Sequence, residues 1–166
     1  MNDIVAVRTA AALAIVLLAS GCAATGSEND MTPQDSQAEL LALLDETQVA
    51  LGSSWDNDDD PSPLQCTLAN GDTGVTFSGY RRSSEPVEVE AGIQTIVGFW
   101  ESKGFEVEVK RELAGLEDVF VHFPGDKDRY LHFSIGENIM AVEGWGACVP
   151  GSVLDEIDRI EEELKN

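Results

Sequence analysis

Three aspartates that alternate along one short segment are the first residues whose spacing indicates chemistry. Asp56, Asp58 and Asp60 alternate with other residues and are followed by Pro61. The same alternation opens a calcium-binding EF-hand loop, in which oxygen ligands surround Ca²⁺. The rest of that pattern is absent, because Pro61 stands where the loop needs glycine and Thr67 where it needs a bidentate glutamate. We therefore favour a solvated acidic loop, with weak Ca²⁺ binding as the alternative.

Two histidines form a second candidate site. His122 and His132 are the only histidines of the chain, and both fall on the polar side of a predicted two-stranded hairpin. On such a hairpin they lie directly or diagonally opposite one another. Neighbouring imidazoles are typical of zinc sites, but zinc needs further ligands and no third one is evident. Two polar-face residues are the favoured interpretation, with Zn²⁺ binding as the alternative.

Two pairs of basic residues form a third candidate. Arg81-Arg82 and Lys110-Arg111 each end a predicted strand, and the second predicted helix lies between them in the sequence. If that helix connects two neighbouring parallel strands, the four charges meet at one edge of the sheet and can bind an anion. The alternative is that these residues neutralise the glutamates that surround them in the sequence.

The chain carries no recognisable catalytic motif. It lacks the nucleophile elbow, the zinc-protease motif H-E-x-x-H, the P-loop and the dinucleotide-binding glycine pattern. Acidic residues number 31 against 10 basic ones, so the net charge is −21. This charge excludes nucleic acid as a partner, since phosphate binding needs a basic surface. We therefore predict a protein without enzymatic activity and without a cofactor.

The elements that position these residues follow a simple order. Caps and apolar stripes predict helices that begin at Thr32, near Pro86 and at Ser152. Between them we predict a strand at residues 75–80, one at 105–110 and three more up to residue 145, and we expect residues 53–65 to form a loop. The order α-β-α-β-β-β-β-α predicts an α+β fold, a mostly antiparallel sheet of four to five strands with helices packed on one face.

The N-terminal residues read as a targeting segment. The apolar run of residues 10–19 is too short to span a membrane but suits a signal peptide. The residues that end at Cys22 resemble a bacterial lipobox, which implies cleavage before Cys22 and acylation of its thiol. We therefore divide the chain into a signal peptide at residues 1–21, a lipidated flexible tether at 22–31 and one α+β domain at 32–166.

The two remaining cysteines, Cys66 and Cys148, form an even pair in an oxidising compartment. A disulfide between them is the natural prediction, and two free thiols, which would be exposed to oxidation, are the alternative. The disulfide would close a long loop, which contributes about 4 kcal/mol in the chain-entropy model.

With the lipobox, a loop of tryptophan and aspartate before Cys66 and a second cysteine near the end, the chain resembles small lipoproteins of actinobacteria of the LppA-like type. That resemblance implies an extracytoplasmic location and a disulfide, but no activity. We expect a protein held by acylated Cys22 to the outer face of the cytoplasmic membrane. There it would act as a binding or accessory module for an envelope component or another exported protein. A metal-binding protein (Ca²⁺ or Zn²⁺) and a hydrolase are the alternatives.

Overall fold

The computed structural model describes residues 31–60, 62–111, 116–123 and 126–165. The predicted signal peptide, the lipidation residue Cys22 and all but the last residue of the tether lie outside these ranges. Among the described residues, no helix is both long and apolar enough to cross a membrane.

The first helix, α1, spans Pro33–Leu51 and begins and ends where the sequence predicts. The Thr32 hydroxyl accepts a hydrogen bond from the Asp35 backbone N–H, and the Asp35 carboxylate accepts one from the Thr32 backbone N–H. This reciprocal pair satisfies two N–H groups that a helix start otherwise leaves free. Gly52, at a φ of 69°, follows the last turn, because glycine adopts a positive φ without strain.

Two further helices confirm the predicted order. Helix α2 spans Val89–Ser102, and the Glu88 carboxylate accepts hydrogen bonds from its first backbone N–H groups. Helix α3 spans Val153–Glu163 and begins at the predicted cap, Ser152. The apolar stripe predicted for α2 faces the core, where the most deeply buried side chains are those of Ile93, Ile96 and Trp100.

The strands form two antiparallel sheets. A six-stranded sheet has the order β1-β4-β8-β7-β6-β5, and a three-stranded sheet has the order β2-β3-β9. The α+β class is therefore confirmed, with six strands in the main sheet instead of four to five. The strands are β1 Asp56–Asn57, β2 Leu64–Thr67, β3 Thr73–Thr76, β4 Ser78–Ser83, β5 Val107–Arg111, β6 Glu117–Phe123, β7 Asp126–Gly136, β8 Ile139–Trp145 and β9 Val149–Pro150.

The segment predicted as one strand at residues 75–80 is two strands, one in each sheet. The break falls at Phe77, whose side chain is buried in the core. On either side, the Thr76 hydroxyl donates to the Gly146 carbonyl and the Gly146 N–H donates to the Phe77 carbonyl. These bonds hold the chain where it passes from one sheet to the other. The loop predicted for residues 53–65 likewise contributes β1 and the start of β2.

The parallel crossover predicted between β4 and β5 is wrong. Strand β5 pairs with β6, which follows it in the chain, and β4 pairs with β8. Three strands therefore lie between β4 and β5, a distance of about 19 Å at the usual strand spacing. Strand β5 forms a hairpin with β6, the next strand in the sequence, and therefore does not pair with β4.

The core lies between the helices and one face of the main sheet. Its side chains come from residues 40–160 of the part of the chain that the structure describes. The predicted disulfide is present and joins Cys66 in β2 to Cys148, just before β9. It therefore ties together the two outer strands of the smaller sheet, which flank β3.

Candidate functional site

The second face of the main sheet carries ring side chains, and no helix of the described residues covers it. Successive side chains of a strand point to opposite faces, so every residue between two core residues of β4, β6, β7 and β8 lies on this outer side. In these four strands the outer positions include six half-buried or exposed rings. We call this surface the ring face, and its rings are those of Tyr80, Phe120, His122, Tyr130, His132 and Trp145.

Five of the six rings stack on one another, in two pairs across neighbouring strands and in one pair within β6. The Phe120 ring lies parallel to the His132 imidazole, with centroids 4.4 Å apart, and to the His122 imidazole at 6.0 Å. Tyr130 stacks on Trp145, with centroids 6.2 Å apart. Such offset stacks add to the stability that burial alone provides. The rings are therefore held in place before any ligand arrives.

His132 lies between two carboxylates. Its Nε2 atom is 2.8 Å from Asp118 Oδ1, and its Nδ1 atom is 3.2 Å from Glu143 Oε1. Both nitrogens can donate to these oxygens at once only in the protonated imidazolium form. Since each nitrogen already meets a carboxylate, His132 has no nitrogen left to act as general base toward a nucleophile or as a metal ligand.

The two histidines lie diagonally, as one of the two predicted arrangements requires. His122 pairs with Tyr130 and His132 pairs with Phe120 in the register of β6 and β7. The Nε2 atom of His122 instead approaches Glu108 Oε2 at 3.5 Å, so each imidazole has its own acidic neighbours. Within the described ranges, no three His, Cys, Asp or Glu side chains are placed to hold one metal ion.

The aspartates of residues 56–60, the acidic loop, do not converge. Asp56 lies in β1, paired with Arg82, and Asp56, Asp58 and Asp60 are all exposed. Hydrogen bonds from the Ser62 side chain and backbone lower the pKa of Asp60. Two of these aspartates instead line an open cleft of about 190 Å³ beside the ring face, which is bordered by Asp58, Asp60, Ser78, Tyr80, Glu143 and Trp145.

The predicted anion site is not assembled. Arg81 points to the core side of β4 and lies between the carboxylates of Asp59 and Asp45. Arg82 is exposed on the other side of the strand. Lys110, on the far edge of the sheet, lies 4.6 Å from the centre of the Phe120 ring. The side chain of Arg111 lies outside the described part of the chain. These basic residues do not meet because their strands are not neighbours.

Asp59 is the residue of the acidic loop that the sequence analysis missed. Its carboxylate accepts a hydrogen bond from the Tyr80 N–H at 3.1 Å and forms an ion pair with Arg81. It therefore fixes the acidic loop against β4, at the border of the ring face. Its place between two exposed aspartates gives no sign of this role.

Tyr130 shows the electrostatic character of the ring face. Burial, and then the negative charge and hydrogen bond of Glu143, raise the pKa of its hydroxyl above 10.0. Near Tyr130 the charge of Glu143 would likewise oppose an anionic group, whereas burial opposes charge of either sign.

Four aromatic residues of the ring face were not predicted as a site: Tyr80, Phe120, Tyr130 and Trp145. A usable signal is present in β6, where Phe120 stands between Val119 and Val121, at a position where alternation calls for a polar residue. An aromatic residue on the solvent side of a strand is a reason to look for a binding surface.

No family model matches the sequence, and no curated protein matches it either. Among solved structures, the chain is similar to the crystal structure of a DUF4853 family protein from Actinomyces odontolyticus, at 14% sequence identity and a TM-score of 0.51, over 76% of each chain. At this identity the similarity shows a shared fold. It carries no information on a ligand.

Proposed function

We propose that this protein is a lipid-anchored, non-enzymatic binding module of the cell envelope, and that the ring face binds its partner. The observation that carries the proposal is the open outer face of the main sheet, with six rings and no helix over it among the described residues. Aromatic residues are enriched at the centres of protein interfaces. The partner is an envelope component or another exported protein.

The stacking of the rings supports binding. Rings that are already packed lose little conformational freedom when a ligand covers them, so more of the contact energy appears as affinity. Phe120 and Trp145 are each packed against another ring and still reach solvent. They provide flat, apolar contact area at a small entropic cost.

The carboxylates around the rings define the chemistry of the ligand. Glu143 and Asp118 flank His132, and Asp58 and Asp60 line the adjoining cleft. Negative charges beside aromatic faces favour ammonium or guanidinium groups, which also bind to the faces themselves. We therefore expect the ring face to bind a partner that presents basic side chains or other cationic groups.

The arrangement of His132 disfavours one form of the hydrolase alternative, in which this histidine activates a nucleophile. A histidine that activates a hydroxyl needs one nitrogen directed at that hydroxyl. Both nitrogens of His132 are directed at carboxylates. The histidine therefore acts as a link that orders Asp118 and Glu143, which fits a binding surface.

The anchor rests on the sequence. Acylation of Cys22 would leave a tether of ten residues, which reaches at most about 35 Å when fully extended. A lipobox cysteine with two or more acyl chains gives a stable attachment. The tether would then hold the domain close to the membrane surface while leaving the ring face free to turn toward a partner.

Mass spectrometry of the protein from its host tests the anchor. We expect a mature N-terminus at Cys22 that carries acyl chains, and partition into the detergent phase. The variant Cys22→Ser should remain uncleaved and unacylated. A mature chain that begins elsewhere and stays in the aqueous phase would rule out the anchor.

Site-specific photocrosslinking in the host tests the ring face. A photoreactive phenylalanine analogue replaces Tyr130, and a matched control places it at Thr95, which is exposed on α2 on the opposite side of the domain. We expect a discrete adduct from position 130 and none from position 95. Equal labelling at both positions, or none at position 130, would argue that the ring face is not the binding surface.

A further inference from the structure

Helix α3 is attached to the domain along only one side. Val153 and Ile160 pack against the core. Between them lies the buried Glu156, whose carboxylate accepts hydrogen bonds from Gln34 Nε2 at 2.8 Å and Arg159 Nε at 2.8 Å. These contacts fix which side of α3 faces the start of α1.

A second apolar band on α3 remains open. The sequence predicts one stripe of Val153, Ile157, Ile160 and Leu164, but the structure buries only part of it. Ile157 is 38% exposed and Leu164 is 80% exposed, and Leu154 beside them is 73% exposed. We call these three residues the outer band. They occur at a spacing of i, i+3 and i+10, which places them along one side of the helix.

Acidic residues border the outer band. From Val153 to Lys165 the chain has six acidic and two basic residues, a net charge of −4. Both basic residues already have acidic neighbours, because Arg159 pairs with Glu156 and Glu163 and Lys165 pairs with Glu161. The helix therefore presents large apolar side chains within a negative field.

We propose that the outer band is a docking site for a basic amphipathic helix of a partner protein. The apolar side chains of that helix would cover Leu154, Ile157 and Leu164, and its lysines or arginines would face the acidic residues around them. This is the usual way in which two amphipathic helices recognise each other. The proposal concerns a surface separate from the ring face and does not depend on it.

An exposed apolar band could also be covered by a second copy of this chain or by a membrane surface. The charge of α3 favours a basic helix over both. A second copy of this chain would bring a second α3 of net charge −4, and like charges oppose that contact. An anionic membrane surface would repel the helix for the same reason. A basic helix gains both from apolar burial and from charge complementarity.

The interaction should be modest and dependent on salt. One helix side buries less area than a stable protein interface requires, so a transient complex is expected. The charges lie at the exposed rim, where ions screen them within about 10 Å at 0.1 M salt. Raising the salt concentration should therefore weaken binding without abolishing the contribution of the apolar residues.

The test uses residues 23–166, which hold every core residue of the described structure, and a synthetic probe. The probe is a peptide of about 18 residues with leucines on one helix side and lysines on the other. Its affinity is measured by fluorescence anisotropy. We expect the double variant Leu154→Ser with Ile157→Ser to bind about tenfold or more weakly, and a probe with serines in place of its leucines to lose binding as well.

Val49→Ser is the matched control, because Val49 on α1 is 83% exposed and has acidic neighbours in Asp45 and Glu46. We expect a change of less than about twofold in this variant, since one exposed apolar residue outside the interface contributes little. Circular dichroism confirms that each variant folds. Because the ring face is also proposed to bind basic groups, Trp145→Ser reports any probe bound there. A loss of about tenfold in the outer-band variant but not in Trp145→Ser assigns the probe to the outer band, and the reverse result would overturn the proposal.

Three further results would overturn the proposal. Equal weakening in the Val49 control and the outer-band variant would mean that the probe binds any exposed apolar residue and not the outer band in particular. A concentration-dependent dimer that the outer-band variant abolishes would make a second copy the occupant. Sedimentation with anionic lipid vesicles that the same variant abolishes would make the membrane the occupant.

Discussion

Arg81 offers a test in which two substitutions in one ion pair should have very different effects on the free energy of unfolding. Its side chain is only 3% exposed and meets the carboxylates of Asp59 and Asp45. Asp59→Ala leaves the guanidinium buried with a single partner, Asp45, which is 61% exposed. It also removes the acceptor of the Tyr80 N–H. Arg81→Met instead removes the buried charge and keeps most of the side-chain volume.

The magnitudes follow from the cost of burying a charge. Breaking a fully buried pair from one side costs about 3–5 kcal/mol. Because Asp45 remains and reaches water, we expect about 2–3 kcal/mol for Asp59→Ala. Arg81→Met should cost less, about 1 kcal/mol, since the carboxylates that it leaves behind, Asp59 and Asp45, are 24% and 61% exposed and reach water. In addition, the buried Nε of Arg81 has no hydrogen-bond partner among the described residues, so its removal breaks no hydrogen bond.

Urea and thermal unfolding of residues 23–166 measure both values. For a domain of this size, Asp59→Ala should lower Tm by about 10 °C and Arg81→Met by only a few degrees. The double variant should be less destabilised than Asp59→Ala, because the unpaired charge is gone and only the acceptor of the Tyr80 N–H is missing. If Arg81→Met lowers stability as much as Asp59→Ala does, the arginine stabilises the fold by itself and the reasoning fails.

Three further predictions concern the disulfide, the core beneath the ring face and the titration of that face. Replacing Cys66 and Cys148 together by alanine should lower the free energy of unfolding in urea by about 4 kcal/mol, because the disulfide spans 82 residues; a loss below about 1 kcal/mol would contradict this. Gly144→Ala should cost about 1–3 kcal/mol in the same assay, because its Cβ would lie 2.7 Å from a core leucine methyl and 3.1 Å from a backbone carbonyl oxygen. In an absorbance titration near 295 nm, the folded protein should show a component above pH 10 that belongs to Tyr130. In Glu143→Gln this component should shift to lower pH. The pKa of Tyr130 should still stay above 10, because burial is the larger cause of its shift. As the folded pKa is raised, this group's contribution to stability is complete below pH 10 and is lost as the pH rises through the folded pKa.

The helices could be predicted from the sequence because their signals are local. Thr32 and Asp35 cap α1 through side-chain contacts three residues apart, and Ser152 caps α3 in the same way. Gly104, which has a φ of 88°, ends the turn that follows α2. Each of these features depends on a few neighbouring residues, so tertiary packing did not change them.

The strand partners could not be predicted in the same way, because pairing is long-range. The strand before α2 and the strand after it looked like neighbours, yet β4 pairs with β8, about sixty residues further along the chain. The predicted anion site depended on that pairing and failed with it. The break at Phe77 could not be predicted either, because it also depends on long-range pairing. An apolar run has the same sequence pattern whether its residues belong to one sheet or to two.

The ring face was missed because its members meet only through the topology. Tyr80 reaches Glu143 and Trp145 because β4 lies beside β8, and Phe120 reaches His132 because β6 lies beside β7. The sequence did indicate that the two histidines lie near each other, because a single hairpin places both of them. The carboxylates that occupy both nitrogens of His132 lie on β6 and β8, and no pattern within a single strand indicates them.

The two faces of the main sheet have different roles: one face packs against the helices, and the other carries the rings that we propose to bind a partner. Small core-side residues, Gly79 and Gly144, let leucines of α1 approach the backbone closely, while Tyr80 and Trp145 project from the other side of the same strands. Substitutions of the outer rings therefore should leave the core intact. Helix α3 carries a second exposed surface, the outer band. Its contact with Gln34 places it beside the start of α1, where the predicted tether joins the domain. A partner helix on the outer band would thus bind close to the anchored end, and the ring face would remain free for a second ligand.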